Sequence, residues 1–567
     1  MEKNVQQIQD LIMKNVLFLF ALAIISGCAS TNKENADQII HNAKIYTVDN
    51  KFSVVQAMAV KDGKILALGT DKEILEKYSS DRIYNAYEKP VYPGFIDAHA
   101  HFFGYGGNLQ NANLRDTNSW DEILTVLQNF AKTHPEGWLL GRGWDQNDWA
   151  VKEFPTKEKL DQLFPDRPVY LTRIDGHAAI VNQKALDVAG INASSKIAGG
   201  DFIKQNGKLT GVLVDNAMEQ VSRKIPPPNK KQVEQILLDA QKNSFSYGLT
   251  TVVDAGLDYD LVNEIDALQK AGKLKMRLNV MLSDSQKNID WLIKKGKINT
   301  GRLLVNGFKF YGDGALGSRG ACLLEDYSDK PHQRGFLLSD IPHFKKMAKI
   351  MYDNGFQMNT HAIGDSANRV LLKIYAEILK GKNDRRWRIE HAQVVNKNDF
   401  DYFGKYSIVP SVQPTHATSD MYWAGERLGK ERLKYAYAFK DLMKQNGWIP
   451  LGTDFPIEEV NPILTFYAAV ARKDAKGWPA SGFQKENALT REETLRGMTI
   501  WAAKGSFEEK EKGSLEVGKY ADFVVLNRDL MTIPEDQILA TRVFKTFING
   551  ELVFDYETFR ENIKLGK

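Results

Sequence analysis

Cysteine is almost absent from this chain: 567 residues contain two, Cys28 and Cys322. That excludes a disulfide framework and a thiolate zinc site. An excess of either charge is absent too. The 75 basic and 71 acidic residues nearly cancel, and no long basic run is present of the kind a nucleic-acid footprint needs, so nucleic acid is not an expected partner. Internal repeats and low-complexity tracts are missing. What remains is an ordinary globular balance, 43% hydrophobic and 26% charged, in a chain longer than one domain core usually covers.

The first apolar run is too short to span a bilayer comfortably as a mature helix. In MKNVLFLFALAIISGC (13–28), Lys14 supplies a positive start and Val16 to Ile25 a short apolar core, the pattern of a signal peptide. Its Ser26-Gly27-Cys28 ending resembles a bacterial lipobox, in which Cys28 is lipidated and becomes the mature N-terminus. The competing reading is a buried apolar helix with a chance cysteine. Residues 1–12 are polar and fit a signal poorly, so Met13 is the expected start. Residues 29–37 form a polar tether. Ala29 after the cysteine, by resemblance to the sorting habit of many diderm bacteria, favours the outer membrane or periplasm over the inner membrane. The expectation is an envelope protein that meets the membrane through its N-terminal lipid only.

The mature chain divides by pattern. Residues 38–90 and 511–560 read as short strands with turns, including a hairpin signal at Asn549-Gly550. They form either one small sheet domain built from both ends or two unrelated caps. Between them, 91–510 alternates apolar runs with helical patterns. Eight runs read as strands: VYPGFIDAHAH, LTTVVDAG, KMRLNVML, RLLVNGFKFYGDG, GFQMNTHAIGD, WRIEHAQ, YSIVPSVQP and WIPLGTDFP. Eight alternating units suit a (β/α)8 barrel. The stretch from about 105 to 245 is too long for one helix and is expected to be an inserted subdomain.

Polar residues sit late in these runs. His99 and His101 end the first, Lys309 lies in the fourth, and His361, His391 and Asp454 end three others. A barrel of parallel strands opens all carboxyl ends on one face, where these side chains would converge. Each alone has a plainer reading: a hydrogen-bonded histidine, a wall charge, a helix cap. The two-residue step in His99-x-His101 places both rings on one strand face, as metal gripping needs. Histidines with a carboxylate and little thiol suit Zn²⁺ or a similar divalent ion rather than Ca²⁺ or Mg²⁺. Such an ion lowers the pKa of bound water to about 7, and Asp454 would take up the proton as general base and return it as acid.

The stretches PGFIDAHAHF, GRGWDQNDW, LTRIDGHAAIVN, GFKFYGDGALGSRGA, NTHAIGD, RIEHAQ, GTDFPIEEVNP and GKYADFVVLN occur in this order. Together they resemble the amidohydrolase superfamily, and within it the YtcJ-like group of amidohydrolase family 3, from about residue 38 to 560. The resemblance implies an α/β fold, a TIM-like barrel with a small β-sandwich from both chain ends, and metal-dependent hydrolysis of C–N bonds. It implies His99, His101, His361 and His391 as ligands and Asp454 as the catalytic aspartate. It also implies that Lys309 stands where many members carry a carboxylated lysine bridging two metals, which leaves one ion or two open. Some of Trp144, Asp145, Arg173, Asp175 and His177 of the insertion are expected to line the pocket mouth as a lid, with Gln413 and His416 as further candidates, although the RxDGH segment also reads as a structural turn. Asp97 is expected to orient one of the first two imidazoles. A small amide-type molecule is the expected substrate, and a homodimer is left open. The same centre would also serve an ester, lactone or cyclic amide. A non-catalytic binding lipoprotein would have eroded the ligand set, which is present in full here.

Overall fold

A computed structural model describes residues 33–146, 149–173, 178–197 and 200–564. Cys28, Asp175 and His177 lie outside the described residues. Seven parallel strands build the barrel wall, labelled β1–β7 in chain order: β1 Phe95–Ala100, β2 Leu249–Leu257, β3 Arg277–Ser283, β4 Leu303–Tyr311, β5 Gln357–Ala362, β6 Arg388–His391 and β7 Val409–Ser411. Each pairs with the next. Helices such as Tyr259–Lys270, Gln286–Lys295 and Asp365–Leu379 cover the outside. Strands walled on both faces read as continuous apolar runs. In β2 and β4 nearly every residue is buried.

The eighth run departs from a regular strand. Residues 448–454 lie where a strand would close the ring, and their backbone does close it: Ala98 N donates to Leu451 O (3.2 Å), Asp454 N to His99 O (2.8 Å) and Gly452 N to Val412 O (3.0 Å). Yet Pro450 has no N–H to give to a ladder, and Asp454 turns out of the extended region at φ +65°. The closure is tight. A Cβ on Gly452 would stand 2.6 Å from His99 N, so only glycine lets the closing segment pass this near β1.

The insertion carries its own six-stranded mixed sheet, in the order Ala112–Asn113, Leu139–Trp144, Val169–Arg173, Ala178–Val181, Lys208–Asp215, Gly200–Gln205. The chain ends share a second six-stranded sheet. Phe523–Leu526 of the C-terminal part pairs with Pro90–Pro93 of the N-terminal part. A four-stranded sheet from residues 38–85 packs near it around Ile40, Met58, Val60, Phe523, Val525 and Phe547. The expected hairpin is there: Asn549 and Gly550, both at positive φ, join Val543–Ile548 to Glu551–Asp555. Arg277 at the foot of β3 fixes this unit to the barrel. Its Nε and Nη2 donate to Asp522 at 2.6 and 3.0 Å, and its guanidinium lies 3.9 Å over the Tyr520 ring. Among the described residues no helix is long and apolar enough to cross a membrane.

Candidate metal centre

The strand ends meet. His99 lies in β1 and His101 follows it, His361 lies in β5, His391 ends β6, and Asp454 stands at the end of the closing segment. Ring centroids are 4.5 Å apart for His361–His391, 4.9 Å for His99–His391 and 5.7 Å for His99–His101. One ligand atom from each of His99, His391 and Asp454 falls within 4.8 Å of the others. Asp454 Oδ1 is 3.3 Å from His101 Nε2 and 3.6 Å from His99 Nε2. Lys309 Nζ, buried in β4, is 3.3 Å from His99 Nε2. The six side chains singled out in the sequence therefore share one pocket.

The donor set fits a metal. Buried polar atoms are normally paired, but Asp454 Oδ1 and His361 Nε2 are buried with no hydrogen-bond partner. Burial, reinforced by Lys309, holds the pKa of His99 at about 4 and that of His361 at about 3. Burial and then His361 hold His391 well below its ordinary value. Burial thus favours the neutral form of these three rings, the form in which imidazole ligates.

Behind the ligands stands a layer that aims them. His99 Nδ1 meets Glu390 Oε2 at 2.5 Å, and Glu390 pairs with Arg388, whose Nε lies 2.7 Å from its other oxygen. Arg388 also donates to Ala98 O (2.5 Å) and Ser411 Oγ (2.7 Å). Burial alone would raise the Glu390 carboxyl. Arg388 and His99 pull it down to about 2. His391 Nδ1 meets Gln413 Oε1 at 2.7 Å. Both Nδ1 atoms are thus occupied, which leaves Nε2 of His99 and His391 for the site. Glu390 and His391 are neighbours, and strand alternation would send only one of them inward. The left-handed backbone of His391, φ +73°, breaks that alternation.

Two expectations need correcting. Asp97 does not reach an imidazole. Its carboxylate accepts from Thr453 Oγ1 (2.7 Å), Thr453 N (3.0 Å) and His99 N (3.1 Å). It sits one step deeper in the barrel, where the closing segment's amide is the nearer donor, so it ties that segment to β1. Glu390 does the orienting expected of Asp97. Trp144 is fully buried in the insertion's own core beside Trp149 and Leu171, and donates to Leu171 O at 2.9 Å. It braces the insertion rather than lining a pocket.

Arg173 pairs with Asp145 and donates from Nε to Gln146 Oε1 at 2.9 Å. Gln413 and His416 do reach the centre, but through the ligands: Gln413 holds His391, and His416 Nε2 lies 3.2 Å from Asp454 Oδ2. Asp254 of β2 went unnoticed in the sequence. It accepts from Phe103 N at 3.0 Å, its Oδ1 is buried without a partner, and burial lifts its carboxyl to about 6. A charged residue inside an apolar strand was the available signal for Asp254, Arg388 and Glu390 alike.

Glu390→Gln keeps the shape but removes the anion that sets the His99 ring. Metal affinity is expected to fall about 10- to 100-fold, measured by competition with a chromogenic chelator. Unchanged affinity would remove Glu390 from the centre.

The chain is similar to known proteins along most of its length. The amidohydrolase family model (Amidohydro_3) matches residues 82–554. YtcJ of Bacillus subtilis (strain 168), named provisionally as an amidohydrolase, is 32% identical over 527 residues, covering 91% of this chain and 99% of that protein. N-substituted formamide deformylase of Arthrobacter pascens is 26% identical over 542 residues, 92% of this chain and 98% of the enzyme. A crystal structure of an uncharacterized metal-dependent hydrolase from Pyrococcus horikoshii OT3 superposes with a TM-score of 0.75 at 29% identity, covering 88% of this chain and 99% of that one. The chain belongs to the amidohydrolase family, and it is a metal-dependent hydrolase of that family's barrel fold.

Proposed function

We propose that this enzyme hydrolyses a carbon–nitrogen bond in small amide-type molecules, with Asp454 as general base and then general acid. One observation carries the proposal: Asp454 Oδ1 is buried and unpartnered, 3.3 Å from His101 Nε2 and 3.6 Å from His99 Nε2. His99, His101, His361, His391 and Asp454 would hold a divalent ion, and an N/O set of this kind favours Zn²⁺. When bound, such an ion supplies an acidified water and a Lewis acid for the carbonyl.

The side chains do the rest. Against its own desolvation, Asp454 is held well below the ordinary carboxylate range, chiefly by the His101 imidazole beside Oδ1 and the His416 imidazole beside Oδ2. It is therefore ionised, and Oδ1, which makes no hydrogen bond, is the oxygen that can take up a proton. It then returns that proton to the departing nitrogen. Glu390 and Gln413 keep the two rings aimed throughout. Burial lowers the pKa of Lys309, and its ammonium would repel a cation. Carboxylation of the neutral amine would convert it to an oxygen donor and make room for a second ion.

The formamide-cleaving relative supports an amide with a small acyl group. The test is a screen of N-formyl and N-acyl compounds, amino-acid amides and cyclic amides on metal-loaded enzyme. Turnover of esters or lactones with no amide turned over would sink the C–N reading. We also propose that Cys28 is lipidated and anchors the enzyme in the cell envelope. Cys28→Ala should then abolish fatty-acid incorporation, and unchanged labelling would reject the anchor.

A further inference from the structure

The two oxygens of Asp454 live in different surroundings. Oδ1 faces His101 and His99 and makes no hydrogen bond. Oδ2 lies 3.2 Å from His416 Nε2. The other nitrogen of that ring, Nδ1, lies 3.1 Å from Glu458 Oε1. Glu458 Oε1 also accepts from Ser419 Oγ at 2.6 Å.

His416 comes from the helix Pro414–Asp420 that follows β7, and Glu458 lies four residues beyond Asp454. The ring is wedged between two carboxylates, with one nitrogen facing each. Both nitrogens are then spent, so His416 is not a metal ligand. Its ring instead stops the Asp454 carboxylate from turning about its last bond.

We infer that Glu458 and His416 are a positioning pair: Glu458 anchors His416, and His416 holds Asp454 by Oδ2 so that Oδ1 alone faces the reacting atoms. The inference rests on the function proposed above. On this inference both residues act through Asp454 and not on the substrate directly. The pair acts on how often the base is correctly aimed, which moves kcat rather than KM.

The test compares full-length, metal-loaded wild type with Glu458→Gln, His416→Asn and the double variant. Substrate is the best hit of the screen, and metal content is read by elemental analysis. Glu458→Gln is expected to lower kcat about 10- to 100-fold, the scale of a small misplacement, with KM within about twofold and metal content unchanged. Because Glu458 acts only through His416, the double variant should be no slower than His416→Asn alone.

Three results would overturn the pair. One is an unchanged kcat in Glu458→Gln. Another is loss of metal in either single variant, which would make the role structural. The third is losses that multiply in the double variant. A wild-type chain that bound no metal would sink the function itself, and that outcome differs from failure of the pair in a loaded, active enzyme.

Discussion

Asp454→Asn is expected to keep its metal and lose about 10²- to 10⁴-fold in kcat, the usual weight of a positioned general base. The substitution preserves shape, and four imidazoles remain to hold an ion. What changes is which atom faces the site. His416 donates toward Oδ2 of Asp454. In the asparagine variant that donor claims the amide oxygen and turns the NH₂ group to where Oδ1 stood, between His101 and His99. A proton acceptor becomes a proton donor at the reacting position. Steady-state kinetics beside elemental analysis reads both halves of the prediction. A variant with full metal and full turnover would remove Asp454 from the chemistry.

The second large effect is on stability. Arg388 and Glu390 are both fully buried inside the barrel, and Arg388 spans β1, β6 and β7 through Ala98 O, Glu390 and Ser411. Arg388→Met leaves the Glu390 charge without its partner, and breaking a buried pair this way costs about 3–5 kcal/mol. The expected result is a lower urea midpoint together with weaker metal binding, since Glu390 can no longer be held against His99. Adding Glu390→Leu removes the stranded charge. The double variant should regain most of the stability and none of the metal affinity. Wild-type stability in Arg388→Met would mean that the pair is not what keeps this charge in the barrel.

Much of the fold was legible because barrel strands bury both faces, so β2 and β4 appear as unbroken apolar runs bounded by turns. The closing segment was legible in place but not in form. Pro450 and the left-handed turn at Asp454 deny it a ladder, and only the backbone bonds to Ala98, His99 and Val412 reveal that it completes the ring.

The ligands stood out as polar side chains at the ends of apolar runs. Their supports did not, because each lies far away in the chain: Glu390 meets His99 across 291 positions. Asp97 misleads for a related reason. Proximity along β1 suggested an imidazole partner, while Thr453, 356 positions away, supplied the nearer donors. Trp144 reads as a pocket candidate only because it belongs to the insertion, part of which is expected to form a lid. Here its N–H finds a carbonyl inside the insertion's own core.

The most direct measurement is the metal content of the chain purified without chelator, followed by dialysis against one. One or two divalent ions per chain are predicted, with hydrolysis of the screen's best amide lost on dialysis and restored by Zn²⁺. Depletion should also lower thermal stability, because an ion that binds only the folded chain stabilises it. A well-folded chain holding no stoichiometric metal, and no more stable with Zn²⁺ than without it, would contradict the metal centre and the hydrolytic function built on it.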